Sequence, residues 1–416
     1  MVVLVSSCPP DLAAAGADQS PGESSAQALR ELQAWLGFPR AERPALTNAA
    51  FAAVRLTRAD AQAATAALWA DHAAFIRQTR AAEMAAKVIE LDGRKMKFEI
   101  VSFTDTNAPA TNGRSLFFSL HGGGGAPPAV NDSQWRNQVR LAKGYQPREG
   151  LYLAPRGPTD AWNLWHQAHI DVFFDRLIEN LVVLSNVNPN RVYVLGYSAG
   201  GDGVYQVAPR TADRWAGAAM MAGHPNEASP LGLRNLPFAI QVGANDGGYG
   251  RNKVAADWGR QLDELHKTDP AGYIHFTEMH AGKGHWMDLA DRKAIPWMEK
   301  HTRTPLPDKL VWFQDDVTHT RFYWLARPQD EVKKRQKIVA ERAGQTVTLS
   351  STNVHTVTVR FSDTMLDLDQ PVVIRTAETT LHEGRLPRTV ATLARTLVER
   401  GDTNLTFSAE VTVTLP

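Results

Sequence analysis

The sequence predicts an α/β protein. Its centre is a doubly wound, mostly parallel sheet, with a helical extension before it and a small β-rich domain after it. Three observations carry this. Short apolar runs alternate with helix-period segments between about 95 and 305. One run feeds Gly196-Tyr197-Ser198-Ala199-Gly200, a strand-to-helix turn. Beyond Pro305 and Pro307 the apolar period falls to two.

Taken in order, residues 9–25 are rich in Pro, Gly, Ser and Asp, so 1–25 is expected to be a flexible leader. Ala28, Leu29, Leu32, Trp35 and Leu36 recur at helical spacing. A long Ala-rich stretch from Thr57 to Lys87 is stopped by Asp92-Gly93, which makes 26–92 a helical region. The α/β domain is expected over 93–305. Phe98, Ile100 and Phe103 read as a strand. Ser115–Leu120 is a second, running into His121-Gly122-Gly123-Gly124-Gly125, and Leu151–Ala154 a third, closed by Pro155. Residues 169–187 form an amphipathic helix with Ile170, Phe173, Phe174, Leu177, Ile178, Leu181 and Leu184 on one face. Arg191–Leu195, Ala216–Ala222, Pro237–Val242 and Ile274–Met279 are further strands, with a helix over 252–266. In the β-rich domain, 306–416, alternation is clear at Val347 and Leu349, at Val357, Val359 and Phe361, and over Pro371–Ile374 and Leu405–Leu415. A helix over 389–400 ends at Gly401.

Composition excludes several function classes. Of 416 residues 43% are hydrophobic and 21% charged, an ordinary globular balance. Lys plus Arg is 45 against 44 for Asp plus Glu, so no basic excess points to nucleic acid. A single cysteine, Cys8, rules out an internal disulfide and a cysteine-built zinc site. No apolar run approaches the roughly 20 residues of a spanning helix. Val5-Ser6-Ser7-Cys8 resembles a bacterial lipobox, against a frayed start with a chance cysteine. A secreted, periplasmic or lipid-anchored protein follows if a signal is truncated here, and otherwise a cytoplasmic one.

The chemistry concentrates in one constellation. A serine on a strained strand-to-helix turn holds its Oγ above the sheet edge, and small residues at 196 and 200 let the flanking backbones approach. The helix behind it favours negative charge. Acyl transfer develops an oxyanion that two backbone N–H groups must meet. Ala199 would supply one, and the glycine loop the other, from Gly122 or Gly123. No lysine follows that loop as a phosphate cradle would require. A serine hydroxyl needs a base to take its proton. On such a sheet the acid and then the histidine follow the serine. Asp246 comes after the strand Pro237–Val242, and His285 sits in Gly282-Lys283-Gly284-His285-Trp286 after Ile274–Met279.

On these motifs, residues 95–305 resemble the α/β-hydrolase superfamily, and within it the esterases related to polyhydroxybutyrate depolymerases and to feruloyl and acetylxylan esterases. The resemblance implies carboxylic ester hydrolysis without a cofactor, on a small-molecule or polymeric ester. It places Asn131-Asp132-Ser133-Gln134-Trp135 and Trp162-Asn163-Leu164-Trp165-His166 in the cleft wall. Trp135, Trp162 and Trp165, with Tyr197 and Trp286 beside the serine and histidine, are the expected substrate-binding residues. A prolyl-oligopeptidase-type serine peptidase and an inactive hydrolase-fold binding protein are the alternatives.

Other features read more blandly. His166 and His169 lack a glutamate at metalloprotease spacing and suit a polar cleft wall. His224 precedes Asp246, the wrong order for the base. Asp202 reads as a helix-face or buried hydrogen-bonding residue and not the triad acid, and should follow the elbow helix away from His285. Asp363, Asp367 and Asp369 fit turn chemistry or calcium, and Lys333, Lys334, Arg335 and Lys337 a solvated face. Trp312, Phe313, Phe322, Tyr323 and Trp324 form either a seam between domains or an aromatic platform beside the cleft.

Overall fold

A computed structural model describes residues 21–104 and 112–416. The lipobox-like segment and most of the expected leader lie outside the described residues. Helix α1 (Pro21–Gly37) nonetheless begins inside that leader. Ser25 explains this: it is buried, donates to Asp60 Oδ2 at 2.5 Å and accepts from Thr57 N–H at 2.8 Å. Helix α2 (Arg58–Ala86) starts at that same point, with Thr57 as its N-cap accepting from Asp60 N–H. Strand β1 (Val88–Leu91) then corrects the expected helical region, because it turns through Asp92-Gly93 to pair with β2 (Arg94–Phe103).

The chain continues through β3 (Arg114–Leu120), α3 (Pro128–Tyr145), β4 (Gly150–Pro155), α4 (His169–Ser185), β5 (Val187–Tyr197), α5 (Ala199–Arg210), β6 (Gly217–Met221), β7 (Phe238–Gly243), α6 (Arg251–Thr268), β8 (His275–His280) and α7 (Ala294–Met298). Eight strands form one sheet in the order β1-β2-β4-β3-β5-β6-β7-β8. Pairing is antiparallel as far as β4 and parallel beyond it. This is a mostly parallel sheet, as the alternation of apolar runs and helical segments predicts. Both faces are covered, so the central strands are apolar throughout. Leu116, Phe118 and Val194 face a core shared with α4 and α5, while Phe117, Tyr193 and Leu195 face a second core shared with α3 and α7.

The remaining elements are β9 (Lys309–Phe313), β10 (Arg321–Phe322), β11 (Leu325–Ala326), β12 (Lys337–Ala343), β13 (Thr346–Thr352), β14 (Thr356–Phe361), β15 (Val372–Arg375), β16 (Thr380–Gly384), α8 (Val390–Arg400) and β17 (Ala409–Thr414). They build a five-stranded sheet, β16-β15-β13-β12-β9, and a four-stranded one, β10-β11-β14-β17, with no propeller blades among them. The two chain ends meet: Leu32, Phe51 and Leu68 share a core with Val390, Leu393 and Leu397 of α8. Among the described residues no helix is long and apolar enough to cross a membrane.

Burial decides between the two readings of the aromatic cluster. Trp312, Phe322, Tyr323 and Trp324 are all buried, in the same core as the parallel sheet, and Phe313 is half-buried. They form a seam, and no platform is open to a ligand there. The aspartates expected at a turn or a calcium site are taken up by arginines. Arg388 pairs with Asp363 at 2.6 Å and with Asp369 at 2.7 Å, and Arg58 reaches Asp367 at 2.9 Å.

Beneath the seam lies a buried charge network. Asp213 pairs with Arg400 and accepts the Tyr323 N–H at 2.9 Å. Arg303 donates to the Asp213 carbonyl at 2.7 Å and pairs with Asp402 at 2.5 Å. Burial pushes Arg400 down to about 9. Removing one member would strand a buried charge. Asp213→Ala is therefore expected to cost about 3–5 kcal/mol in urea unfolding. Asp257→Ala, which breaks an exposed pair with Arg260, should cost no more than about 0.5 kcal/mol.

Candidate active site

The elbow is formed by close backbone contact. Ser198 links β5 to α5 at φ 58° and ψ −122°, a conformation that costs about 1–3 kcal/mol. A Cβ at Gly196 would stand 2.2 Å from the Gly200 carbonyl oxygen. One at Gly200 would stand 2.0 Å from the Leu120 oxygen, at the end of β3. Only glycine fits either place. The Ser198 N–H donates to Met221 O at 2.9 Å, which ties the turn to β6.

Asp246 and His285 reach the serine from neighbouring strand ends. Asp246 is buried past β7, and its carbonyl accepts the Asn252 N–H at 3.0 Å. The His285 loop crosses the end of β7 so closely that a Cβ at Gly243 would lie 2.0 Å from Gly284 O. His285 Nδ1 lies 2.8 Å from Asp246 Oδ2, and its Nε2 lies 3.0 Å from Ser198 Oγ. With the carboxylate at Nδ1, the neutral ring carries its proton there and offers Nε2 as acceptor. Tyr197 fixes the loop from below. Its hydroxyl donates to the His285 carbonyl at 2.5 Å and accepts the Met287 N–H at 3.1 Å. Burial raises the Tyr197 phenol well above its ordinary value, so it stays neutral.

The glycine loop lies against the elbow. A Cβ at Gly122 would be 3.1 Å from Ser198 Cβ. Gly123 sits at φ 103°, and a Cβ there would be 2.2 Å from Asn131 Oδ1. Asn131 is fully buried and organises the loop. It accepts the Gly124 N–H at 2.8 Å and donates to Asp160 Oδ1 at 2.8 Å and to Ala126 O at 3.1 Å. His121 anchors the loop at its other end. Burial pushes its pKa down to about 4. As a neutral ring it accepts the Gly157 N–H on Nε2 at 3.0 Å and donates from Nδ1 to Gly122 O at 2.6 Å. Ala199 opens α5, so its N–H is one of the helix donors with no intrahelical acceptor.

Two of the five expected substrate contacts are corrected. Trp165 is fully buried and donates its indole N–H to His121 O at 2.9 Å, so it supports the glycine loop from behind. Trp135 donates to Ala154 O at 2.9 Å and, half-buried, packs against the core between α3 and the sheet. Trp162 and Trp286, 62% and 50% exposed, do stand at the mouth, and Tyr197 lines it. Asp202 is corrected too. It does not turn away but walls the cleft, where its Oδ1 accepts the His224 N–H at 2.6 Å and burial raises it to about 6. His166 is buried against Trp162 and does not join His169 in a ligand set. Among the described residues no cluster of three or more metal-ligating side chains exists.

Two cavities meet at Ser198 and Gly123. One, of about 560 Å³, is mostly apolar, with Val130, Leu141, Tyr197, Trp286 and Leu289 in its wall. The other, of about 390 Å³, has a mixed lining, with Asp202, His224, Asn226 and Arg251 alongside Trp162 and Tyr249. Leu289 was not legible in the sequence, since nothing local marks a leucine that folds back over Gly144.

No family model matches the chain. It is 30% identical over 163 residues to a protein named "Putative esterase NocK" from Nocardia uniformis subsp. tsuyamanensis. That match covers 36% of this chain and 46% of the relative, so the chain spans less than half the relative's length. Among solved structures it is similar to a thermostable esterase, at 16% identity and TM-score 0.39, over 52% of this chain and 62% of that one. It is also similar to LpqC, a poly(3-hydroxybutyrate) depolymerase of Bordetella parapertussis, at 13% identity and TM-score 0.37, over 51% and 87%.

The neutral His121 makes a testable contribution to stability. Unfolded, its ring takes a proton near its ordinary 6.5; folded, it refuses one until about 4. The unfolded state thus binds more protons in this window, and stability falls as pH drops through it. The wild-type chain should lose about 3 kcal/mol relative to its His121→Gln variant between pH 6.5 and 4, measured by urea unfolding. A constant difference would rule out the neutral, loop-holding ring.

Proposed function

We propose that this chain is a serine hydrolase that cleaves carboxylic esters through an acyl-enzyme, with Ser198, His285 and Asp246 as its triad. The observation that carries this is the unbroken chain from Ser198 Oγ through His285, at 3.0 Å, to the buried Asp246, at 2.8 Å. Likeness to a protein named as an esterase supports the same reading.

In this mechanism Ser198 Oγ attacks the ester carbonyl while His285 Nε2 takes its proton. Asp246 holds the ring by Nδ1 and stabilises the imidazolium. The oxyanion receives N–H groups from Ala199 and from Gly122 or Gly123. His285 then returns the proton to the leaving alcohol, which departs. Water, deprotonated by the same ring, attacks the acyl-Ser198 ester and releases the acid. No step calls for a cofactor or metal.

A fluorophosphonate should label the chain stoichiometrically, with the adduct on Ser198 by mass spectrometry. Ser198→Ala should abolish labelling and lower kcat by a factor on the order of 10⁶. Folded protein that resists the probe would sink the reading.

The acid is tested separately. Asp246→Asn keeps the packing but favours the wrong imidazole tautomer, so kcat should fall by about 10⁴ with KM little changed. Asp263→Asn, at an exposed carboxylate paired only with His275, should change kcat by less than about tenfold. The reverse pattern would reassign the acid.

A further inference from the structure

Buried arginines in this chain have carboxylate partners. Arg210 pairs with Asp171 at 2.7 Å, Arg303 with Asp402 at 2.5 Å and Arg388 with Asp363 at 2.6 Å. Arg251 is half-buried and placed differently. It is the first residue of α6, just past Asp246, and it walls the mixed cavity beside Ser198. Among the described residues no carboxylate lies within ion-pair distance of it. Its guanidinium sits 4.8 Å from the centre of the Tyr249 ring, and Nη1 donates to Gly248 O at 3.3 Å. Nε is buried and has no acceptor. A guanidinium has five N–H donors, and leaving them unmet away from bulk water is costly.

Of the other titratable groups of that cavity, Asp202 is near enough to feel the Arg251 charge but forms no ion pair with it. Asp202 has Oδ1 committed to the His224 N–H at 2.6 Å. His224 accepts the Asn226 N–H on Nδ1 at 2.9 Å, and burial lowers its pKa, so it stays uncharged. Among the described residues, Arg251 is the one guanidinium lining this cavity beside Ser198. The opposite cavity, across Ser198, is mostly apolar, and the exposed Arg140 in its lining donates to Asn137 Oδ1.

We propose that the cavity holding Arg251 is a carboxylate-binding subsite, so that the preferred substrate is an ester with an apolar part on one side of the scissile bond and a carboxylate on the other. This rests on the ester-hydrolase reading above and names its substrate class. Guanidinium and carboxylate are matched in geometry and charge. The rings of Trp162 and Tyr249, 62% and 84% exposed, flank the entering group and leave room for an organic spacer between ester and anion.

The test uses the full chain and two matched ester pairs. One varies the alcohol side, 3-butyryloxybenzoate against 3-butyryloxybenzamide. The other varies the acyl side, the 4-nitrophenyl monoester of adipic acid against 4-nitrophenyl hexanoate. The carboxylate member should have the higher kcat/KM in at least one pair. Arg251→Gln should reduce that preference by about 10- to 100-fold, chiefly through KM, and Arg251→Lys should keep part of it. Both variants should melt with the wild type, since Arg251 makes no ion pair. Equal rates within both pairs would overturn the proposal, as would a preference untouched by Arg251→Gln. No hydrolysis of any ester, with Ser198 unlabelled by fluorophosphonate, would overturn the ester-hydrolase reading and this one together.

Discussion

The close passage of three backbones at the elbow governs the rest of the site. β3 and β5 are parallel neighbours, with Leu120 opposite Gly196. Gly200 folds back onto the Leu120 carbonyl, and Gly196 lies under Gly200. One side chain at either position would push β3 from β5. The glycine loop would then leave Ser198, because it begins directly after Leu120. The strained serine and the nearby N–H donors are thus one structural fact. The cost of the strain is borne by a sheet packed on both faces, which has no room to relax.

A second tier of side chains holds what the elbow brings together. Asn131, His121 and Trp165 fix the glycine loop, and Tyr197 fixes the histidine loop. None of them has to touch a substrate for the site to need it, although Tyr197 also lines the cavity. Their demands are mutual. His121 can accept from Gly157 only while neutral, and burial under Trp165 keeps it neutral. The polar groups that look most exposed to chemistry in the sequence therefore serve as braces, and the reacting atoms sit one layer out.

What could be read from the sequence follows from how local each signal is. The elbow, the glycine loop and the strand-following Asp246 and His285 each announce themselves within a few residues. The sheet strands do so by apolar period, and the two small C-terminal sheets by alternation. The misread features depend on contacts made far along the chain. Val88–Leu91 is only four residues long and follows directly on an Ala-rich helical stretch, so only its partner β2 makes it a strand. Trp135 and Trp165 look like cleft residues because aromatic rings suit both clefts and cores, and only the fold says which. Asp202 is hydrogen-bonded, as one of its two readings had it, but α5 is buried almost throughout and its first turn opens onto the cleft, so the side chain does not turn away.

Among the described residues, those lining the two cavities at Ser198 all fall between Gly122 and Leu289, outside the N-terminal helices and the β-rich part. The N-terminal helices lie on α4 and α8 instead, where Glu83 holds Arg176 at 2.5 Å and Glu179 holds His72 at 2.6 Å. The β-rich part grips the turn after α5, through Asp213 and Arg214. That turn ends the helix whose first residue is Ala199, so the β-rich part bears on the elbow helix at its far end. The cleft walls themselves come from the central sheet and its loops among the described residues. On the proposed reading, a substrate that fills one cavity while its carboxylate meets Arg251 reaches Ser198 only if both walls keep their spacing.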